Sequence, residues 1–246
     1  MNGNKMSFNV LPDETDSDAP LSSLSLLLAD SWFSALPSTV RHVLLDNATR
    51  VRLAAGEMLF RRGDAPSGFY ALLKGNIKMS TLNEDGREGI LTILEPGTWF
   101  GEISLIDGQP RTHDATAVDP VEVLLVTPPC FSVLMQDPAF ANAIARMLAY
   151  RIRLLYGVVE DVHLRSPRER VARRLLLLSG SNTMQESAPH QSIPVSQESL
   201  AMMLGMSRKT LSKELKFLAT QKAIALKYRS IHILSLTILS SFSGQR

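Results

Sequence analysis

The spacing of apolar positions changes character along this chain. From Leu21 to Leu45 it is helical, with Trp32-Phe33, Val40, Val43 and Leu44 supplying the contacts. From Val51 to Val126 it breaks into short β-type runs separated by glycines: Val51-Leu53, Met58-Phe60, Phe69-Leu73, Ile77-Thr81, Ile90-Leu94, Ala115-Val118 and Val121-Val126. Asp85-Gly86 between two of these runs marks a hairpin. Many short strands with glycine punctuation predict a small antiparallel barrel or jelly roll. Pro128-Pro129 stops the last strand and starts a helix through Leu134. Asp137 then caps a much longer helix with Pro138 at its first position. Its apolar residues Phe140, Ile144, Leu148, Ile152, Leu155 and Val159 are spaced four, four, four, three and four apart. A stripe of that length exceeds what one small barrel covers, so a partner helix in a parallel dimer is expected. Packing along its own barrel stays open as the alternative.

Ser166-Pro167 is a second cap-and-proline start, with a helix predicted over Arg168 to Leu178 and a loop over Ser179 to Ile193. "SQESLAMMLGMSRKTLSKELKFL", Ser196 to Leu218, then reads as two helices around a tight turn. Ser196 caps the first, and Leu200, Ala201 and Leu204 form its inner face. Gly205 supplies the left-handed turn. Ser207 caps the second, which Leu211, Leu215 and Leu218 hold to the core. Its outer face carries Arg208, Lys209, Ser212, Lys213 and Lys216, groups that reach phosphates and base edges in a major groove. With Ser196, Gln197, Ser207 and Thr210 at the helix starts, these are the candidate DNA-contacting residues.

Charge sharpens this picture. Residues 165–246 hold 13 Lys/Arg and 4 Asp/Glu, a balance of +9, whereas residues 1–164 hold 13 basic and 20 acidic residues, a balance of −7. A basic block at one end of a near-neutral chain suggests a nucleic-acid-facing domain joined to a different one. The hydrophobic fraction of 45% and charged fraction of 20% belong to a folded, soluble chain. No apolar run approaches the ~18 residues of a membrane span. Residues 1–20 are polar and acidic (Asp13, Glu14, Asp16, Asp18) and are expected to be a disordered tail. That order is wrong for a secretory signal, so a cytoplasmic protein is expected. Cys130 is the only cysteine, which excludes intrachain disulfides, Cys₄ zinc sites and thiolate-held iron–sulfur clusters. It is expected to be a small buried hydrophobe. No Walker loop, metal-ligand spacing or nucleophile–base pairing is present, so no enzyme activity and no metal are expected.

"FGEISLIDGQPRTHDA", residues 100–115, joins Gly101-Glu102 to Arg111-Thr112 across a loop that is neither clean helix nor clean strand. An arginine beside a hydroxyl, facing a turn whose N–H groups point inward, suits a bound anion. Taken alone, the stretch is either such a cradle or a decorated surface loop.

In their order, "GEMLFRRGDAPSGFYALLKGNIKM" (56–79), "GTWFGEISLIDGQPRT" (97–112), the long helix and the two-helix motif resemble the cyclic AMP receptor protein / fumarate-nitrate regulator (Crp/Fnr) family of bacterial transcription regulators. The resemblance spans roughly residues 30–235. It implies an α+β chain: a cyclic-nucleotide-binding β-roll (jelly roll) with flanking helices over 21–136, a dimerisation helix over 137–164, and a winged helix-turn-helix over 165–246. It makes residues 101–112 the cassette that wraps a cyclic nucleotide, with Gly101, Ile103 and Ser104 lining it. By this likeness Glu102 accepts the ribose 2′-hydroxyl, while Arg111 and Thr112 hold the cyclic phosphate. Arg151 falls where the cyclic AMP receptor has an arginine near the same groups. The implied effector is cyclic AMP or cyclic GMP. The implied partners are inverted-repeat double-stranded DNA, a second copy of the chain, and RNA polymerase.

Several positions depart from the family pattern. The cyclic AMP receptor contacts adenine with a threonine–serine pair on its long helix, where an ungapped count from Pro138 places Leu155 and Tyr156. Lys209 stands where that receptor has an acid, so its base preference does not transfer. Lys227-Tyr228-Arg229-Ser230, the expected wing tip, has no glycine, so a longer or looser wing is expected. The N-terminal cysteines of the oxygen-sensing relatives are absent. His42 and His113 lie in the sensor half, but a lone histidine is more often a surface or core residue than a haem ligand. The leading expectation is a homodimeric, nucleotide-gated DNA-binding regulator. The alternatives are a ligand-independent regulator with a vestigial cassette, and a nucleotide-binding regulatory subunit of a partner enzyme.

Overall fold

The computed structural model describes residues 25–84, 86, 88–179, 192–228 and 230–244. The expected acidic tail (1–20), Asp85 of the expected hairpin turn and most of the 179–193 loop lie outside them. The described residues fall into two compact units, one drawn from Met1–Ser80 with Ile93–Ile144, the other from Thr81–Thr92 with Ala145–Arg246.

In the first unit Pro37 separates two helices, α1 (Ser31–Ser34) and α2 (Ser38–Asp46). Then come β1 (Ala48–Leu53), β2 (Met58–Phe60), β3 (Phe69–Lys74), β4 (Ile77–Leu82), β5 (Glu88–Leu94), β6 (Trp99–Phe100), α3 (Ile103–Asp107), β7 (Asp114–Ala117), β8 (Val121–Val126) and α4 (Pro128–Leu134), of which the end of β4 and most of β5 are counted with the second unit. The strands form two four-stranded sheets, ordered β1-β8-β3-β6 and β2-β7-β4-β5. Registers such as Val51↔Val123 and Met79↔Ala115 turn the apolar set of each strand inward. Leu53, Phe60, Tyr70, Leu72, Ile77 and Val123 fill the space between the sheets. On the helical side Phe33, Phe69, Phe131 and Phe140 pack with Trp32 and Trp99, at ring separations of 5.1–6.5 Å. The Trp32 indole N–H donates to the Ala143 carbonyl (2.9 Å), satisfying the polar end of that ring. Cys130, expected to be buried, is only half-buried on α4. Even so, desolvation raises its pKa and disfavours the reactive thiolate.

The long helix α5 (Pro138–Leu164) starts as expected, with Asp137 accepting from the N–H of Ala139 (2.7 Å). Phe140 and Ile144 are fully buried, but farther along the same stripe Ile152, Leu155 and Val159 are 51%, 64% and 54% exposed. Among the described residues the stripe is therefore covered only at its beginning.

In the second unit Asp161 near the end of α5 pairs with both Arg165 (2.8 Å) and Arg173 (3.3 Å). Helix α6 (Pro167–Leu178) opens with a capping box in which Ser166 and Glu169 satisfy each other's backbone N–H groups. The remaining elements are β9 (Ser192–Ile193), α7 (Gln197–Leu204), α8 (Arg208–Thr220), β10 (Ile224–Lys227), β11 (Ser230–Ile233) and α9 (Leu236–Ser241). The strands form a sheet in the order β10-β11-β9. Val171, Leu175, Leu200, Leu211, Leu215 and Leu218 share its core with Ile224 and Ile231. Lys227 pairs with Ser230, so the β10–β11 ladder runs up to the expected wing tip, of which Arg229 lies outside the described residues. Core-facing Ile224, Ile231 and Ile233 hold that register. Among the described residues no helix is long and apolar enough to cross a membrane.

Candidate anion cradle and nucleic-acid face

The cradle is built where β6 runs into α3. Gly101 has φ +95°, and a Cβ there would meet the Gly68 carbonyl at 2.9 Å and the Tyr70 ring at 3.0 Å. Only glycine lets the chain turn so close to β3. Helix α3 then starts at Ile103, and the first turn of a helix presents N–H groups that lack intrahelical acceptors. The Ser104 hydroxyl donates to the Pro110 carbonyl (3.3 Å), closing the segment on itself and spending that side chain internally. What Ser104 has left for a ligand is its backbone. Ile103 is exposed, as is Thr112 at the other end of the segment.

Arg111 is the centre. It is 4% exposed, and its guanidinium donates to the carbonyls of Gly101 (2.8 Å) and Gly68 (2.8 Å) and more weakly to Ser67 Oγ (3.4 Å). It lies over the Phe60 ring at 4.3 Å and near the Tyr70 ring at 5.7 Å, both favourable cation–π placements. Among the described residues its Nε has no acceptor. Burial lowers its pKa, against the pull of Tyr70 and of the carboxylates Glu102 and Asp64. Burial likewise raises the pKa of Tyr70, whose hydroxyl is bonded to Ser67 Oγ at 2.8 Å. Glu102 is fully buried at the start of α3. A buried cation held mainly by neutral oxygens, with an N–H still to satisfy, is chemically disposed to take an anion.

The structure thus brings Gly101, Glu102, Ile103, Ser104, Arg111 and Thr112 into one segment. Arg151, Leu155 and Tyr156 belong to the second unit, on α5: Arg151 is half-buried, Leu155 and Tyr156 are exposed. Sequence reasoning missed the residues that hold Arg111, namely Phe60, Ser67, Gly68 and Tyr70. A Cβ at Gly68 would overlap Leu125 and touch the Val126 carbonyl, a constraint that only the folded sheets reveal. His42 is exposed and has no role here, while His113 bonds to Thr112 (2.7 Å). Among the described residues no cluster of His, Cys, Asp or Glu side chains is set up for a metal ion.

The second candidate surface is the outer face of α8. Gly205 (φ +60°, ψ +35°) ends α7, and the Met206 N–H closes on the Ala201 carbonyl (3.0 Å). Ser207 then caps α8 by accepting from the Thr210 N–H (3.1 Å), as Ser196 caps α7 through Ser199 (3.0 Å). These two candidate contact residues therefore have local structural work. Arg208, Lys209, Lys213 and Lys216 project into solvent, Gln197 is exposed at the start of α7, and Thr210 and Ser212 are half-buried. Behind this face Glu214 is buried and pairs with Arg168 of α6 (2.9 Å), whose guanidinium lies 3.5 Å from the Phe217 ring centre. This inner bracing, also missed from sequence, holds α8 so that its cations point outward.

Two family models match this chain. Residues 50–138 match the family model of the cyclic nucleotide-binding domain, and residues 169–242 that of the Crp-like helix-turn-helix domain. The chain is 31% identical over 180 residues to the CRP-like cAMP-activated global transcriptional regulator of Mycobacterium tuberculosis, covering 72% of this chain and 80% of that protein. Its fold is similar to that of FixK2 from Bradyrhizobium japonicum, with a TM-score of 0.71 at 22% identity over 81% of this chain and 98% of that one. A CRP-family transcriptional regulator from Thermus thermophilus is similar at a TM-score of 0.63 and 28% identity, over 79% and 96% of the two chains.

Proposed function

The chain belongs to the Crp/Fnr family of bacterial transcription regulators, and from that premise we propose a homodimer whose DNA binding is gated by a cyclic nucleotide held in the β-roll. The observation that carries this reading is Arg111, buried among carbonyl oxygens with its Nε unsatisfied. In the proposed complex Arg111 and Thr112 hold the cyclic phosphate, the N–H groups from Gly101 to Ser104 add neutral donors, and Glu102 accepts from the ribose. The exposed part of the α5 stripe supports pairing with a second copy, which would bury Ile152, Leu155 and Val159. The exposed cations of α8 support entry into a major groove, one helix from each copy. Such a regulator works in the cytoplasm, where the chromosome is, and one that activates transcription would also meet RNA polymerase. Cyclic AMP and cyclic GMP are both candidate effectors.

A second reading keeps DNA binding and makes it independent of ligand. It is favoured by Leu155 and Tyr156, which stand at the positions that in the cyclic AMP receptor contact adenine. Leucine offers no donor or acceptor, and tyrosine offers one hydroxyl or a stacking face. A regulatory-subunit role fits poorly with a chain that carries its own helix-turn-helix.

Calorimetric titration of the full chain with cyclic AMP and cyclic GMP separates the readings. At least one nucleotide is expected to bind, and Arg111→Ala to remove about 2–5 kcal/mol of binding energy, the cost of truncating one partner of a buried charge pair. Equal affinity in wild type and variant would overturn the cradle assignment.

A further inference from the structure

We propose that His113 is a positioning residue for the cradle: its Nδ1, 2.7 Å from the Thr112 hydroxyl, decides whether that hydroxyl donates toward a bound anion or away from it. The proposal rests on the reading of residues 101–112 as a phosphate cradle, and concerns how that site responds to protons.

A threonine hydroxyl has one proton and two lone pairs. When the imidazole is neutral and Nδ1 is the acceptor, Thr112 spends its proton on the ring and offers an approaching anion only lone pairs. When Nδ1 carries a proton, the ring donates to Thr112 Oγ1 and the hydroxyl proton is free to reach a phosphate oxygen. The imidazolium carries protons on both nitrogens and so enforces the second state. An anion that accepts from Thr112 therefore selects His113 with a proton on Nδ1, and because the imidazolium always carries that proton whereas the neutral ring must adopt one tautomer to do so, protonation raises the affinity for the anion.

The surroundings supply the coupling. His113 is half-buried, with its ring 6.4 Å from the Phe60 ring that also lies under the Arg111 guanidinium. Arg111 is thus the nearby cation that opposes a second positive charge while the cradle is empty, and a bound phosphate removes that opposition. Asp64 is tied to the same loop, its carbonyl accepting from the Arg111 N–H (2.8 Å). Asp114, next in the chain, accepts from the Arg62 N–H (2.8 Å), so one of its carboxylate oxygens is already engaged. Among these groups His113 is the one whose ordinary titration range lies between pH 5 and 8.

The test is titration of the full chain with cyclic AMP and cyclic GMP between pH 5.5 and 8. A cyclic phosphodiester keeps a single negative charge over that range, so the ligand does not titrate. Wild-type affinity is expected to be about tenfold higher at pH 5.5 than at pH 8, the weight of one hydrogen bond to a charged group. His113→Asn, which keeps a polar group of similar reach but cannot titrate, is expected to give a flat profile. Thr112→Ala is expected to be flat as well, and Thr112→Ser to restore the slope. Binding that depends on Arg111 but is flat in pH would overturn the role of His113 and leave the cradle standing. A slope that survives in Thr112→Ala would mean that His113 acts on the anion directly, which also overturns the proposal. Absence of nucleotide binding at every pH, in wild type and Arg111→Ala alike, would overturn both.

Discussion

A guanidinium buried among carbonyl oxygens depends on every atom around it, and in this protein much of that dependence runs through Gly101. Its carbonyl accepts from Arg111, and its missing side chain leaves the room that the Gly68 carbonyl and the Tyr70 ring occupy. Gly101→Ala would strain a backbone at φ +95° and press a methyl group to 3.2 Å from Arg111 Nη1. The expected cost is about 1–3 kcal/mol, read as a lower urea midpoint for the sensor unit, together with weaker nucleotide binding. An unchanged midpoint would mean that the loop relaxes freely. The adjacency of Arg111 and Thr112 in the sequence suggested an anion-type pair. It did not show what holds the arginine, since Gly68 lies 43 residues away in the chain and meets it only once both sheets have formed. The exposure of Cys130 is another property that packing decides and composition does not.

Elements were legible wherever their signals were local. Cap residues, prolines and apolar periodicity placed the starts of α4, α5, α6, α7 and α8 to within a residue, whereas α5 runs five residues past the last stripe residue, Val159, and α8 two past Leu218. Of the nine longer strands, the seven of the β-roll were found for the same reason, whereas β10 and β11 were expected only as the wing that the resemblance implies. The two-residue strands β6 and β9 escaped because two residues cannot show an alternation. The register of the wing strands was not legible because core-facing isoleucines on both strands set it, which is a property of packing. The capping box of α6 offers an element-scale prediction. Hydrogen bonds from Ser166 hold the Glu169 carboxyl below its usual pKa. A depressed folded-state value means that the charged form stabilises the helix above the unfolded pKa of about 4.3, and that this contribution fades as pH falls through the folded value. Glu169→Gln is therefore expected to cost about 0.3–1 kcal/mol at neutral pH and progressively less below about pH 4.5, measured by denaturant unfolding across pH. A difference independent of pH would locate the effect in packing.

At the scale of the whole molecule, opposite charge balances mark two jobs within one chain, −7 over residues 1–164 and +9 over residues 165–246. The cradle lies in the acidic part and the α8 cations in the basic part. Gating requires that the nucleotide bind one arrangement of the dimer better than another, since equal affinity for both would shift nothing. The DNA sites are expected to be inverted repeats whose half-site centres lie roughly one helical turn, ~10–11 bp, apart, reflecting the two-fold symmetry of the dimer. The most direct measurement uses fluorescence anisotropy of an inverted-repeat duplex, selected from random sequence by this protein, titrated with the full chain with and without cyclic AMP or cyclic GMP. The account predicts that one nucleotide tightens binding by about fivefold or more, the lower end of ordinary allosteric coupling, and that Arg111→Ala binds as the unliganded protein does whether or not nucleotide is present. Identical DNA affinity with and without either nucleotide in the wild type would contradict it.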